Sequence, residues 1–338
     1  MRSNNAIKNI FATGVAIAAL GIGVNSYAQS IEGAGATFPK PIYAKWFAEF
    51  KTATGTSVVY NAVGSGAGVK ALKDKTVDFG ASDAPLSAAE EGAMPGGVVH
   101  ITTVGGAVVL CYNAAGVPNN LKLTGEIIAD IYLGKIKSWN DNKIKAQNKG
   151  VNLPGTAITT IHRTDGSGTT YIFTNYLKKV SSEWAAGPGA AKSVNWPIGL
   201  GGKGNDGVAA QVKHADGTIG YVELAFAKQN NLSFAEVKNK AGKYVSATPE
   251  STTAAISQYV GQLTADIKTP TVDAPGAESY PICSLTYILL YKNSKPATVK
   301  LWSWMMQPAQ QGQAASLYYA PLPASIVKRN EAVLRTIK

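Results

Sequence analysis

Residues 157–177, AITTIHRTDGSGTTYIFTNYL, join a β-branched run, a loop of small and polar residues, and a stretch that can form a helix. Strand, glycine loop and helix in this order form the repeating unit of α/β folds. The first turn of a helix has backbone N–H groups without an intrahelical partner, and the helix dipole adds partial positive charge there. Glycines allow close approach of the backbone to a ligand, hydroxyls donate, and the planar guanidinium of Arg163 fits oxyanions. The stretch therefore predicts a site for a tetrahedral anion.

Several anions fit this loop equally well when it is considered alone. It does not end in Gly-Lys-Ser/Thr, so it is not a Walker A loop and nucleotide binding does not follow. Phosphate, sulfate and a phosphate ester all remain candidates. Asp165 lies two residues beyond Arg163, where it either pairs with the guanidinium or caps the following turn.

Two further glycine-rich loops precede helical stretches. Residues 33–39 read GAGATFP before an apolar helical pattern, and residues 64–68 read GSGAG before a helix predicted to begin at Val69. Each has an ordinary alternative: Thr37 is a plain N-cap, and the second loop is a plain turn. If the three loops converge, their N–H groups and hydroxyls form a cage of donors around one anion.

Asp83 lies in a small-residue loop, ASDAP at 81–85, directly after a strand-like run. An ionised carboxylate only accepts hydrogen bonds, so it repels a fully deprotonated anion. Phosphate near neutral pH keeps a proton that it can donate to Asp83, whereas sulfate has none. A site built on such a pairing discriminates by roughly 10⁴- to 10⁵-fold. The ordinary alternative is that Asp83 belongs to a turn or caps a helix.

The rest of the chain alternates between strand-like and helical patterns, which predicts an α/β fold. An apolar helical face runs from Ile42 to Phe50 and ends at Gly55, and a long loop is expected over 265–279. Strands are predicted at 56–60, 77–83, 105–113, 157–161, 217–222 and 282–291, and further helices at 127–132, from 170, from 208 and at 301–306, the last closing the chain.

The amino terminus has the features of a secretory signal peptide. Arg2 and Lys8 are the only charges before an apolar run from about residue 10 to 24, and small residues precede a cleavage site after Ala28. The run is too short for a membrane span. We therefore expect an exported protein that begins at Gln29 and has about 310 residues, a length typical of two domains.

Charge and cysteine content narrow the function classes. The net charge is +11, but the lysines are scattered and form no basic stripe with aromatic residues, so nucleic acid is not an expected partner. Cys111 and Cys283 lie in apolar strand-like runs. In an oxidising compartment they form a disulfide, or they are two buried thiols; the sequence leaves both open.

Signals for an enzyme are sparse. The three histidines are isolated and lack metal-site spacing, no Gly-x-Ser-x-Gly elbow occurs, and no base is placed by sequence to activate Ser65 or Ser167. A secreted phosphate-ester hydrolase and a receptor for another oxyanion remain the alternatives to a phosphate receptor.

At this point the motifs resemble those of the periplasmic phosphate-binding proteins of bacterial phosphate ABC transporters. The resemblance spans essentially all of the chain after the signal peptide. It rests on the segments GAGATFP (33–39), VDFGASDAPL (77–86), RTDGSGT (163–169), WPIGLGGKGNDG (196–207), GYVE (220–223) and YAPLP (319–323).

The resemblance implies a two-lobed, type II-like periplasmic binding fold, each lobe a mixed β-sheet flanked by helices, with the ligand in the interlobe cleft. Lobe I would comprise residues 29–111 and 283–338, and lobe II residues 112–282, with Cys111 and Cys283 near the hinge. Gly66 departs from the family pattern, in which a second serine is common; little effect on the site is expected. The implied phosphate ligands are Thr37 and Phe38 through backbone N–H groups, Ser65, Asp83, Arg163, Ser167, Gly168 and Thr169, with Asp165 as the partner of the arginine.

The resemblance also implies how such a protein works. It would be a periplasmic, monomeric receptor that captures phosphate by hinge closure and docks transiently on inner-membrane permease subunits. It would need no cofactor or metal and would carry out no chemical step.

Overall fold

The computed structural model describes residues 30–338 of the 338-residue chain. The predicted signal peptide (1–28) lies outside these residues. Twelve strands are described: β1 (Ile31–Gly35), β2 (Val58–Ala62), β3 (Phe79–Ser82), β4 (Val98–Asn113), β5 (Lys122–Leu123), β6 (Thr159–Arg163), β7 (Leu200–Gly202), β8 (Thr218–Glu223), β9 (Ser233–Phe234), β10 (Glu236–Lys238), β11 (Tyr244–Val245) and β12 (Cys283–Tyr291). The helices are α1 (Lys40–Thr54), α2 (Ser65–Lys73), α3 (Ala88–Gly92), α4 (Gly125–Tyr132), α5 (Asn142–Gln147), α6 (Gly168–Val180), α7 (Ser182–Ala186), α8 (Gly204–His214), α9 (Leu224–Gln229), α10 (Pro249–Ser257), α11 (Val260–Ala265), α12 (Pro296–Met305), α13 (Pro308–Gln311) and α14 (Ala324–Leu334).

Nine of the twelve strands form one mixed sheet in the order β2-β1-β3-β12-β4-β8-β6-β7, with β9 also paired to β4. β1 runs parallel to β2 and β3, and β6 runs parallel to β7 and β8. β12 is antiparallel to β3 and β4, and β4 is antiparallel to β8. A small second sheet has the order β11-β10-β5. The predicted α/β class with mixed sheets and flanking helices is confirmed.

The long strand β4 is shared by two half-sheets. Its residues 98–107 pair with β12, and its residues 108–113 pair with β8. We call β1, β2, β3, β12 and residues 98–107 the first half-sheet, and residues 108–113 with β6, β7, β8 and β9 the second half-sheet. The chain returns to the first half-sheet at β12, where the Val108 N–H donates to the Ile282 carbonyl at 2.8 Å. The change of partner within β4 therefore divides the sheet.

Helix α1 shows how the sequence pattern becomes structure. Proline occupies the first turn, and Gly55 ends the helix in the left-handed conformation with a φ of 74°. Glycine adopts this conformation without the steric cost of a Cβ atom, which makes it a common helix stop. The apolar residues spaced three and four apart are buried against the first half-sheet: Ile42, Tyr43, Trp46, Phe47 and Phe50. The predicted helix and its end are confirmed.

Two predicted element boundaries are wrong. Helix α2 begins at Ser65 rather than Val69, so most of the second glycine loop forms the first turn of the helix. The helix predicted at 301–306 does not close the chain, because α13 and α14 follow it. The buried face of α14 consists of Ile326, Asn330 and Leu334. The polar residue at the centre of this face, Asn330, interrupts the apolar pattern. Its burial is tolerated because its amide donates to the Thr102 carbonyl at 2.8 Å.

Cys111 and Cys283 are two free, buried thiols. The register between β4 and β12 pairs Cys283 with Ala107, four residues before Cys111. At about 3.3 Å per strand residue this separates the two Cα atoms by roughly 13 Å, beyond the Cα–Cα range of about 4.4 to 6.8 Å for disulfides. Burial raises the pKa of each thiol to about 12. Of the two alternatives left open by the sequence, the structure shows the thiols.

Candidate anion-binding site

The first wall of the site comes from chain segments at the ends of β1, β2 and β3. Thr37 and Phe38 follow β1, Ser65 begins α2 after β2, and Asp83 follows β3. β1 pairs in parallel with both neighbours, so the carboxyl ends of the three strands lie at one edge of the first half-sheet. All four residues are buried. The convergence of the two glycine-rich loops with Asp83, which the sequence only suggested, is present in the structure.

Thr37 does not cap α1. The N-cap is Pro39, without a side-chain hydrogen bond, so the ordinary alternative for Thr37 is wrong. Its hydroxyl instead accepts two hydrogen bonds from Asn205, from the backbone N at 3.1 Å and from Nδ2 at 2.8 Å. The Phe38 carbonyl accepts from the Tyr319 hydroxyl at 2.7 Å. Within residues 30–338, the N–H groups of Thr37 and Phe38 have no protein acceptor and so can donate to a ligand.

The second wall is a single continuous segment, residues 163–169. Arg163 ends β6 and is buried, and Ser167 is the N-cap of α6, where its hydroxyl accepts from the Thr170 N–H at 3.0 Å. Gly168 and Thr169 are the first two residues of α6 and are also buried. Their N–H groups have no intrahelical acceptor and lie at the positive end of the helix dipole. The predicted strand, glycine loop and helix are confirmed.

Asp165 neutralises Arg163 through a planar, two-bond contact. Nε of the arginine donates to Oδ1 at 2.8 Å and Nη2 donates to Oδ2 at 2.5 Å. Oδ1 also accepts from the Gly204 N–H at 2.9 Å. Burial raises the pKa of Asp165, but the hydrogen bonds and charge of Arg163 outweigh it, and the pKa lies below its ordinary value. Of the two roles considered for Asp165, pairing is the observed one, and it leaves Nη1 of Arg163 to contact the Thr169 hydroxyl at 3.2 Å.

The two walls touch each other. The Gly168 N–H donates to the Ser65 hydroxyl at 3.0 Å, and the Gly66 N–H donates to the Gly166 carbonyl at 2.7 Å. Gly168 lies directly against Asp83: a Cβ atom added to the glycine would stand 2.5 Å from the Asp83 Cβ and 2.6 Å from its Oδ2. Only glycine permits this approach. The predicted site residues of both walls therefore lie together where the two walls meet.

Unlike Asp165, which pairs with Arg163, Asp83 forms no ion pair within residues 30–338. Its Oδ1 accepts from the Thr286 hydroxyl at 2.7 Å, and its backbone N–H donates to the Ser65 hydroxyl at 3.3 Å. It caps none of the described helices. Burial raises the pKa of Asp83 to about 7, although the Thr286 hydrogen bond and the charge of Arg163 act in the opposite direction. Asp83 is thus an acceptor with unusually high proton affinity, which suits a ligand that carries a proton.

Sequence reasoning missed three residues that shape the site. Asn205 reaches both Thr37 and Thr169, Thr286 holds Asp83, and the Tyr221 hydroxyl contacts the Arg163 N–H at 3.0 Å. Asn205 could have been found in the sequence, because it lies between two glycines and, like the predicted anion ligands of α6, in the first turn of a helix. Thr286 and Tyr221 lie within buried strands and carry no such signal. Only strand pairing places them at the site.

Two negative findings concern the described residues. Between residues 30 and 338, no cluster of three histidine, cysteine, aspartate or glutamate side chains has the arrangement of a metal site. In the same part of the chain, no helix is long and apolar enough to cross a membrane.

Comparison with known proteins identifies relatives along nearly the whole chain. The family model of the PBP superfamily domain matches residues 23–309. A phosphate-binding protein PstS of Pasteurella multocida is 43% identical over 317 residues, covering 93% of this chain and 92% of the relative. A phosphate-binding protein PstS of Xylella fastidiosa is 42% identical over 308 residues, covering 89% of this chain and 84% of the relative.

A solved structure shares the fold. A high affinity periplasmic phosphate-binding protein (PfluDING), solved with phosphate bound, superimposes with a TM-score of 0.71. It covers 90% of this chain and 93% of its own, at 21% identity. At this identity the likeness establishes the mixed α/β fold alone.

Proposed function

The chain belongs to the PstS family of phosphate-binding proteins within the PBP superfamily, and on that premise we propose that it binds inorganic phosphate between its two walls and delivers it to an ABC-transporter permease for import. The observation that carries this proposal is the setting of Asp83. It is a buried acceptor surrounded by donors and held by Thr286 opposite Gly168. A ligand that fits must accept many hydrogen bonds and donate at least one, as a protonated phosphate does.

We propose that the ligand set is the one predicted from the sequence. Its support is the convergence of these residues, their burial, and the N–H groups of Thr37, Phe38 and Thr169, which have no protein acceptor within residues 30–338. Arg163 would contribute Nη1 together with the Thr169 hydroxyl. Asp165 would orient the arginine without touching the ligand. Together they form a set of donors with one acceptor.

We propose that capture occurs by hinge closure of lobe I (29–111 and 283–338) over lobe II (112–282). The change of partner within β4 and the return of the chain at β12 support two crossings between the lobes. Helices α10 and α11 fall within the proposed lobe II, yet α10 packs on β4 and β12, and α11 packs on α14. Both helices therefore contact elements of the proposed lobe I, β12 and α14, although the chain boundary assigns them to lobe II.

The cellular location and the partner of the protein are inferred from its family and from the predicted signal peptide. We propose a periplasmic receptor, exported by its signal peptide, that acts as a monomer and docks transiently on inner-membrane permease subunits. Binding and release complete its task, so we propose no chemical step and no cofactor. The burial of the predicted ligands supports capture, because closure removes water from the anion and all of its donors must be satisfied together.

Competition calorimetry with inorganic phosphate and sulfate tests the proposal. The unchanged protein should bind phosphate far more tightly than sulfate. Asp83→Asn should narrow the ratio of the two affinities by at least about 100-fold, because the new amide donates to sulfate where the carboxylate repelled it. Glu278→Gln, which removes an exposed carboxylate, serves as the control and should leave the ratio unchanged. Tighter sulfate binding by the unchanged protein would contradict the role of Asp83.

A further inference from the structure

We propose that Asn205 is a positioning residue of the binding site, which fixes the hydroxyls of Thr37 and Thr169 as donors toward the bound anion. The inference rests on the proposed function and concerns the same site. It assigns a role to a residue that is not in the predicted ligand set. Asn205 is the second residue of α8 and is fully buried.

The amide of Asn205 spans both walls. Its Nδ2 donates to the Thr37 hydroxyl of the first wall at 2.8 Å and to the Thr169 hydroxyl of the second wall at 3.2 Å. Its Oδ1 accepts from the Glu223 N–H at 2.9 Å. A backbone N–H can only donate, so the bond from Glu223 fixes which end of the amide is oxygen and turns the NH₂ group toward the two threonines.

The hydrogen-bond count of the two threonines determines the direction of their protons. A hydroxyl has two lone pairs and one proton. The lone pairs of Thr37 accept from the backbone N and Nδ2 of Asn205. Those of Thr169 accept from Nδ2 of Asn205 and Nη1 of Arg163. Within residues 30–338 neither hydroxyl has a protein acceptor for its own proton, so each proton is available only to the ligand.

The Ser65 hydroxyl also accepts two hydrogen bonds and keeps its proton free, but Asn205 supplies neither bond. The donors are the backbone N–H groups of Asp83 and Gly168, so the proton of Ser65 is also left for the ligand. Backbone groups supply both hydrogen bonds to this hydroxyl, whereas each threonine hydroxyl accepts one of its two hydrogen bonds from the Asn205 side chain. Loss of that side chain leaves each threonine hydroxyl with one bond, from the Asn205 backbone N to Thr37 and from Arg163 to Thr169, so one bond no longer fixes the direction of the proton and its donation to the anion is less preorganised.

A purely structural role for Asn205 is the competing explanation, because the residue also ties α8 to β8. A double-mutant cycle separates the two roles. Phosphate affinity is measured by calorimetry for the unchanged protein, Asn205→Ala, the pair Thr37→Val with Thr169→Val, and the triple variant. We expect Asn205→Ala to weaken binding by about 10- to 100-fold in the unchanged background and by less than about 3-fold where the hydroxyls are absent.

The same fold loss in both backgrounds would overturn the proposal and leave Asn205 a structural residue. Absence of phosphate binding by the unchanged protein would overturn the proposed function as well, which distinguishes the two failures. If Asn205→Ala does not fold, Asn205→Leu replaces it in the cycle, because leucine has the same branched arrangement of heavy atoms, adds no charge and lacks the donor to both threonines. Lys213→Met, at an exposed position of the same helix α8, is the control and should change the affinity by less than about 3-fold.

Discussion

The two walls of the site are built in different ways. The second wall is one segment of seven residues, 163–169, between β6 and the start of α6. The first wall is assembled from three segments that follow β1, β2 and β3, and Thr286 of β12 supports it from behind. Local geometry therefore determines most of the second wall, whereas strand pairing determines the first.

The walls also differ in how their charges are compensated. In the second wall Asp165 neutralises Arg163 through two hydrogen bonds. In the first wall Asp83 forms no ion pair within residues 30–338; it accepts a hydrogen bond from the Thr286 hydroxyl, and burial raises its pKa to about 7. The second wall therefore offers donors to any oxyanion. In the proposed site, selection among oxyanions would depend on the first wall.

The largest expected effect comes from keeping the walls apart. In Gly168→Ala the new methyl group would meet Asp83 at 2.5 Å, so the cleft cannot close. Phosphate would then lose the donors of one wall, and at about 1 kcal/mol or more for each of four lost groups the affinity should fall at least about 1,000-fold by calorimetry. Gly261→Ala is the control, since this exposed helical glycine has no atom within 4 Å of the added carbon. Unchanged affinity in Gly168→Ala would show that the walls bind independently.

The next largest effect should come from the charge pair of the second wall. Arg163→Met removes the guanidinium and leaves Asp165 buried without its partner. Loss of one member of a buried pair costs about 3 to 5 kcal/mol, so both phosphate affinity and the free energy of unfolding should fall. Arg163→Lys keeps the charge but loses the planar fork of the guanidinium. Its phosphate affinity should lie between that of the unchanged protein and that of Arg163→Met. Titration calorimetry and urea unfolding measure the two effects. Equal behaviour of the lysine and methionine variants would contradict the role of the fork.

The pH dependence of stability tests the first wall without ligand. Asp83 has a folded-state pKa of about 7 against an ordinary value of 3.8, so the folded state binds its proton more tightly than the unfolded state does. This contribution to stability is present below the unfolded pKa and is lost as the pH rises through 7. Compared with Asp83→Asn, the unchanged protein should lose up to roughly 4 kcal/mol of unfolding free energy between pH 4 and pH 8.

Urea unfolding in phosphate-free buffer at several pH values measures this difference. Glu278→Gln, at an exposed position, should follow the unchanged protein across the same range. A difference between Asp83→Asn and the unchanged protein that is constant with pH would contradict the raised pKa.

The smallest expected effect lies at the edge of contact between the walls. Lys192 pairs with Glu90, and the pair links the segment beside Ser167 with α3. Both side chains are partly exposed, so the pair should contribute no more than about 1 kcal/mol and be screened by salt. Lys192→Met should weaken phosphate binding by about two- to fivefold at low ionic strength and less at high ionic strength. Lys213→Met, another exposed lysine, is the control for net charge. A salt-independent loss would point to packing rather than charge.

Much of the fold follows from local pattern. Helix α1 and its end at Gly55 were predictable because apolar spacing and a glycine stop are properties of one segment. The last helix, α14, was not predictable from its apolar residues alone. A buried Asn330 stands at the centre of its inner face, where its partner is the backbone of β4. Polar groups satisfied by distant residues weaken the periodic signal on which sequence reasoning depends.

By itself the sequence determined the donor loop at 163–169, because strand, glycines, hydroxyls and helix start are contiguous and their chemistry is local. It also supplied the motifs that identify Asp83 as a candidate. Only the tertiary structure decided that Asp83 accepts a hydrogen bond from a threonine of β12, that Gly168 abuts it, and that Asn205 joins the two walls. These features depend on residues up to 203 positions apart in the chain, which are brought together by strand order and register.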